Sequence, residues 1–303
     1  MVRSFAEVLA AAKRLGPRIV AIAAADEIEV LEAAAQARAE GIAEPILVGR
    51  KQQINALAAE ADLDLVGVEI IEEADPKVAG AIAVHLVRAG DADIVMKGRM
   101  DIADLLRAAL HKEQGLRAGR LLTHVSVFEL PGFDRLLFVT DAGVVPEPDL
   151  AQKAQIVQNA IDTVHQLGIP RPRVAILAAL EMVNPKMPST TDAANLAKMA
   201  DRGQIRGGIV DGPLALDNAI SQHSAELKGI KSPVAGRADI LVTPDVESGN
   251  ILAKGMTYFA GGTVASVVVG AKAPIVATGR ADPSENKLAS IALAVLLSHD
   301  NDR

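Results

Sequence analysis

Cysteine and tryptophan are absent from the 303 residues, and aromatic side chains make up only 2% of them. Without cysteine there is no disulfide, no thiolate zinc site and no cysteine nucleophile, which fits a reducing compartment. The scarcity of aromatics removes most of the surface on which nucleic-acid bases stack. No block of Lys and Arg compensates, and the formal charge of −7 is spread along the chain. Nucleic acid is therefore not an expected partner. The uncharged run Phe259 to Ala271 contains Gly261, Gly262 and Gly270 and falls short of the about 18 apolar residues that a spanning helix needs, so no membrane partner is expected either. Met1 to Gly16 carries Arg3, Glu7, Lys13 and Arg14 in an amphipathic pattern without the continuous apolar stretch of a secretory leader, which reads as a cytoplasmic protein. No G-x-S-x-G elbow, Walker A loop or H-E-x-x-H pair occurs, and His85, His111, His124, His165, His223 and His299 are scattered.

Half of the residues are hydrophobic, and this apolar mass is Ala, Val, Ile and Leu. That mixture suits buried parallel strands flanked by Ala-rich helices, an α/β fold. At this length one core usually divides into two, so two lobes are expected. The first third shows a repeated strand–helix rhythm. Arg18–Ala23 is followed by Glu27–Glu40, Pro45–Gly49, Val68–Ile71, the helix Lys77–Ala89 stopped by Gly90, and Asp93–Met96. Such alternation predicts a mostly parallel sheet. From about Leu121 the texture changes to two strand-like runs joined by Pro131-Gly132-Phe133-Asp134, a hairpin signal. Beyond it a helix over 148–167, a strand over 173–178, a helix over 190–200, a strand over 239–243, a final strand over 274–277 and a helix over 284–298 are expected.

An acidic chain that handles anions must place its cations locally, which draws attention to Lys97-Gly98-Arg99 and to Arg280. Pro244 to Lys254 joins a strand to a helix, and the unpaired N–H groups of a helix start can hold an anion. Asp245, Ser248, Gly249, Asn250 and Lys254 are the candidates there. The competing reading makes Ser248 a helix cap and Lys254 a solvated side chain. Ser189 and Thr190 repeat the arrangement, with hydroxyls suited to an oxyanion or to phosphate, against a capping box with Asp192. Asp211 and Asp217 flank a turn able to hold polar parts of a ligand, or simply to turn. With Asp141 and Asp245, Asp211 is far apart in sequence and lacks His-bearing spacing, so no metal is expected. Arg280 follows an apolar strand and suits bidentate phosphate binding, whereas Asp282 and Glu285 are also explained as the acidic start of a helix.

Phe138-Val139-Thr140-Asp141-Ala142-Gly143, Asp211-Gly212-Pro213…Asp217, Pro244-Asp245…Ser248-Gly249-Asn250…Lys254 and Gly279-Arg280-Ala281-Asp282 resemble, in order and from about Asp93 onward, the phosphate acetyltransferase and phosphate butyryltransferase family. Phe128 to Phe138 and Ser284-Glu285-Asn286-Lys287-Leu288 are closer to the butyryltransferase branch. The resemblance implies an isocitrate-dehydrogenase-like, two-lobed α/β fold with its active site in the interdomain cleft. One lobe would be 1–120 plus 270–303, and the other 121–269, which would carry dimerisation and much of the cleft. It implies a homodimer, no permanently bound cofactor, and acyl-CoA and inorganic phosphate as substrates, exchanging a short acyl group without a covalent acyl-enzyme. The catalytic candidates are Arg280 and Asp282. The phosphate- or CoA-binding candidates are Lys97, Asp141, Ser189, Thr190, Asp211, Asp245, Ser248, Gly249, Asn250 and Lys254. In phosphate acetyltransferases the corresponding loop reads Ser-Arg, with an Asp six residues after the Arg serving as base for the CoA thiol. Here those positions are Gly279, Arg280 and Asn286, and an amide cannot take up a proton usefully. Asp282 or Glu285 would have to substitute, or local positive charge would have to ionise the thiol. A metal- and NAD(P)-dependent hydroxy-acid dehydrogenase of the same fold and a non-catalytic CoA-binding homologue are the rival readings.

Overall fold

The computed structural model describes residues 2–298; Met1 and residues 299–303, including His299, lie outside the described residues. The chain divides into two compact units, Phe5–Arg120 with Val264–Arg303, and Met1–Ser4 with Leu121–Thr263.

The first of these units holds α1 (Phe5–Leu15), β1 (Arg18–Ala23), α2 (Ile28–Ala39), β2 (Ala43–Gly49), α3 (Lys51–Glu60), β3 (Glu69–Glu72), α4 (Pro76–Ala89), β4 (Ile94–Lys97) and α5 (Ile102–Ala109), and, after the other unit, β10 (Thr263–Val269), β11 (Ile275–Val276) and α11 (Ser284–Ser298). Its strands run in the order β3-β2-β1-β4-β11-β10. All neighbours are parallel except β10 with β11. β1 and β4 are buried along most of their length because both faces are covered, which explains their unbroken apolar sequences. α4 shows how local sequence sets a boundary: Asp75 accepts from the Lys77 N–H at 2.8 Å, Pro76 fills the first turn, and Gly90 ends the helix at φ 86°. α11 is buried on nearly every side and packs on α1 and α2, matching its all-round Ala and Leu content. The second boundary falls at Val264 instead of residue 270. β10 is tied to this unit by Val267 and Val268 opposite β11, and by the Ser290 hydroxyl accepting from Ser266 N at 2.9 Å.

The second unit holds β5 (Thr123–Glu129), β6 (Leu137–Thr140), α6 (Leu150–Gln166), β7 (Arg173–Leu177), α7 (Pro188–Asp201), β8 (Ile209–Leu214), α8 (Leu216–Ile220), α9 (Gln222–Leu227), β9 (Ile240–Val242) and α10 (Val246–Tyr258). Its strand order is β5-β6-β9-β7-β8, with β5 and β6 an antiparallel hairpin and the rest parallel. Gly132 turns the hairpin at φ 85°, and Phe128 and Phe138 lie wholly buried in it. α6 opens on a reciprocal capping box between Asp149 and Gln152. Two expectations need correction, and one stretch left unassigned gains a structure. Asp211-Gly212-Pro213 lies in strand β8 and is not a turn, paired with β7 across a register shift. The uncharged stretch 263–269 is the strand β10. α10 opens at Val246, two residues before Ser248, with Asp245 as its cap.

Candidate active site

In the unit that holds β1 and β4, the strand order steps outward from β1 through β2 to β3 and then returns to place β4 on the other side of β1. Loops at such a reversal, beyond the carboxyl ends of the strands, are where open α/β sheets bind ligands. Three loops meet this description. Glu27 follows β1, Lys97 is the last residue of β4, and Gly279 to Lys287 follow β11. The β1 and β4 loops are joined directly, since Gly98 N donates to Ala23 O and Arg99 N to Ala24 O, both at 2.8 Å. Ala24 takes a left-handed φ of 52°, uncommon for a residue with a Cβ.

Lys97 is 7% exposed. Its Nζ donates to two backbone carbonyls, Gly98 O at 3.1 Å and Met100 O at 3.4 Å, and among the described residues no carboxylate lies within ion-pairing distance of it. Burial pushes the ammonium below the usual lysine range. Glu27 opposes that effect, Arg280 and Lys287 reinforce it, and Asp282 opposes it more weakly. Lys287 is more deeply buried, at 1% exposure, yet well partnered: its Nζ donates to Asp282 O at 2.5 Å and Gly279 O at 3.4 Å and lies 3.4 Å from Glu27 Oε1. A buried ammonium with this many acceptors fixes the backbone that supplies them.

That backbone carries Arg280. Its guanidinium is 69% exposed and pairs with Asp101, equally exposed, in the loop after β4. An exposed pair contributes about 0–1 kcal/mol, so a polyvalent anion can displace the carboxylate. Asp282 is mostly buried, and its Oδ2 accepts from Gly279 N at 2.7 Å. It therefore holds the turn behind Arg280. A Cβ on residue 279 would lie 2.8 Å from Asp282 Oδ1, so glycine at 279 and this seat for Asp282 depend on each other. Asn286 is buried in α11 and its Oδ1 faces Val264 N of β10 at 3.5 Å. Its amide serves the packing of helix on strand.

In the other unit the sequence motifs meet at the carboxyl ends of β6 and β9. Asp141 is 3% exposed and accepts three backbone N–H groups, His124 N at 2.9 Å, Gly143 N and Val144 N both at 2.8 Å. Thr243 Oγ1 reaches Asp141 O and Asp245 O, both at 3.2 Å. Asp245 caps α10 by accepting from Ser248 N at 2.8 Å, and the Ser248 hydroxyl also donates to it. A carboxylate thus occupies the helix start that the sequence offers to an anion. Gly249 does not face open space: a Cβ there would collide with the Asp141 carbonyl oxygen and lie 2.7 Å from Thr243 Oγ1. Asn250 Nδ2 donates to Ala142 O at 3.3 Å, tying α10 to the same loop. Lys254 is exposed, its Nζ 5.9 Å from the centre of the Tyr258 ring.

Thr190 is wholly buried, donating to Met187 O at 2.8 Å and Asn184 O at 3.0 Å and accepting from Asn184 N at 2.9 Å. Its hydroxyl closes its own loop, and the capping box expected here is absent because α7 begins at Pro188 with Met187 at the cap position. Ser189 sits half-buried on the first turn. Asp211 Oδ1 accepts from Gly212 N at 2.9 Å. Asp217 pairs with Lys228, whose hydrogen bonds hold the carboxyls of Asp217 and Glu181 below the usual range. Among the described residues no three His, Asp or Glu side chains are grouped so as to hold a metal ion. Sequence reasoning passed over Glu27 and Asp101, which no motif marks, and quoted Lys287 only as part of a likeness.

The family model described as phosphate acetyl/butaryl transferase matches residues 4–80 and 76–295. A phosphate butyryltransferase of Clostridium beijerinckii is 48% identical over 301 residues, 99% of this chain and 100% of the relative. A phosphate acetyltransferase of Thermotoga maritima is 43% identical over 279 residues, 92% of this chain and 95% of the relative. Among solved structures, a branched-chain phosphotransacylase from Enterococcus faecalis superimposes with a TM-score of 0.83 at 32% identity, covering 93% of this chain and 99% of that one. Matches of this extent, running through both units and every loop described above, make the chain a member of the phosphate acetyl and butyryl transferase family.

Proposed function

We propose that the chain transfers a short acyl group between coenzyme A and inorganic phosphate, acyl-CoA plus phosphate giving acyl phosphate plus CoA, by direct attack without a covalent acyl-enzyme. The observation that carries this reading is the exposed guanidinium of Arg280, held on a loop clamped by Asp282 and Lys287 and, among the described residues, engaged only by an exchangeable carboxylate. In a chain of net charge −7 such a cation is a local binding point for a dianion. Arg280 grips phosphate through two parallel N–H donors and lowers the energy of the negative charge that grows on the acyl oxygen as phosphate attacks. The rest of the rate enhancement comes from holding both substrates in attacking geometry.

Asp141, Asp245, Ser248, Gly249 and Asn250 act in this scheme by shaping the β6 and β9 loops, and Thr190 and Asp211 by holding theirs. Lys97, Ser189 and Lys254 are the remaining candidates for direct contact with phosphate or CoA, with Lys254 suited to a phosphate group of the nucleotide end. CoA enters and leaves as a substrate, and no resident cofactor or metal takes part. We further propose a homodimer. Ile251, Tyr258 and Phe259 stand 73%, 64% and 95% exposed along and just beyond α10, an apolar strip that supports burial against a second copy. No helix among the described residues is long and apolar enough to cross a membrane, and a cytoplasmic location is part of the same reading.

The test is CoA release from acetyl-, propionyl- and butyryl-CoA with and without phosphate. Phosphate-dependent release with at least one of them is expected, and its absence with all three would remove the proposal.

A further inference from the structure

The family's thiol base has no carboxylate at its usual position here, and the Asp282 carboxylate is committed to Gly279 N. We propose that Lys97 is the group that moves the proton of the CoA thiol, an assignment that rests on the phosphotransacylase reading above.

The geometry is particular to this side chain. Lys97 ends β4 at the point where the strand order reverses, so its Nζ lies beyond the carboxyl edge of the sheet, on the side where ligands bind. It is buried without a carboxylate partner, held by two carbonyl oxygens at 3.1 and 3.4 Å. Lysine is seldom buried in this way, because an unpaired ammonium out of water is costly. Lys287, a few residues after Arg280, has the acceptors that keep an ammonium charged. Lys97 has two carbonyls but, among the described residues, no carboxylate at ion-pairing distance, and it is surrounded by a mixed set: Glu27 from the start of α2, Arg280 and Asp282 from the loop after β11, and Lys287 from α11. Its neighbouring strands bring no charge to it: β1 places Ala23 opposite Lys97, and β11 places Val276 opposite the preceding residue, Met96. Burial and the nearby cations favour the neutral amine, which brings it toward a thiol whose ordinary pKa is about 8.5. Arg280 is among the charges that act on Lys97, so anion grip and proton transfer fall to neighbouring groups.

In the direction from acyl phosphate to acyl-CoA, the lone pair of Lys97 Nζ takes the S–H proton. The thiolate sulfur then bonds to the acyl carbon, the carbonyl pair moves onto oxygen, and collapse of that oxyanion breaks the carbon–oxygen bond to phosphate. The departing phosphate takes up one proton, which the Lys97 ammonium restores directly or through solvent. In reverse, the ammonium protonates the sulfur as it leaves the thioester.

The experiment compares the wild-type chain with Lys97→Ala and Lys97→Arg in acyl-CoA formation from acyl phosphate and CoA, between about pH 6 and about pH 10. Removal of a general base should lower kcat by about 10²–10⁴-fold with little change in KM for acyl phosphate. Lys97→Arg, which stays charged and so offers no lone pair to the thiol proton at these pH values, should be as slow as Lys97→Ala. Added ethylamine should restore rate to Lys97→Ala in proportion to the free-amine concentration. A Lys97→Arg chain with wild-type kcat, or a Lys97→Ala chain that is not slowed, overturns the assignment. Should either variant fail to fold, an NMR titration of isotope-labelled lysine in the wild-type chain decides: Lys97 titrating below the other lysines supports the proposal, and Lys97 titrating with them overturns it. Loss of phosphate-dependent transfer in the wild type itself would instead defeat the functional reading on which the proposal rests.

Discussion

At the scale of single residues, charged groups in this protein divide by how many acceptors they have. Lys287 is buried and saturated, Arg280 is exposed and exchangeable, and Lys97 is buried and under-partnered. In the proposed scheme the first fixes backbone, the second takes the anion and the third moves the proton. Replacing Arg280 by Ala should therefore reduce turnover by about 10²–10³-fold, as loss of one oxyanion donor does, while leaving the thermal midpoint nearly unchanged, because the Asp101 pair is largely exposed. Steady-state kinetics beside a melting curve tests both parts; full activity would take Arg280 out of the reaction. Arg280 stands out in the sequence as a candidate because nothing local accounts for an arginine at that point. The roles of Ser248 and Thr190 were not legible: a hydroxyl at a helix start reads alike whether it meets a ligand or, as here, a carbonyl a few residues away.

At the scale of elements, the strand–helix joints are stitched by backbone contacts that leave no room to spare. α10 rests on the loop after β6, with Gly249 against the Asp141 carbonyl and Asn250 bonded to Ala142 O. Since the obstructing atom belongs to backbone, Gly249→Ala must move α10 or the β6 loop. A loss of about 1–3 kcal/mol is expected, read as a lower urea midpoint with unchanged slope; an unaltered midpoint would show that the seat is loose. The strands and helices with clear period and caps, such as β1, α4 and α11, stand in the sequence almost to the residue. β8 and β10 do not, because Asp211-Gly212-Pro213 carries turn residues and 263–269 lies among glycines, and pairing with strands distant in sequence, such as β7 and β11, makes them strands. The site loops depend on the same kind of long-range pairing, which a single sequence does not display.

At the scale of the whole molecule, the scarcity of aromatics gives those left exposed a particular weight. Phe259, at 95% exposure, follows α10 directly, and Ile251 and Tyr258 lie along that helix. If this strip is buried between two copies, Phe259→Asp should shift the sedimenting species from dimer to monomer at low micromolar concentration; a wild-type chain that sediments as a monomer would end the dimer proposal. The proposed acyl transfer has a direct test. Butyryl-CoA is mixed with the purified chain, free thiol and acyl phosphate are followed together, and the phosphate concentration is varied. Thiol and acyl phosphate should appear in equal amounts, at a rate that rises with phosphate and saturates. Thiol release that is independent of phosphate, or that occurs without acyl phosphate, would contradict it.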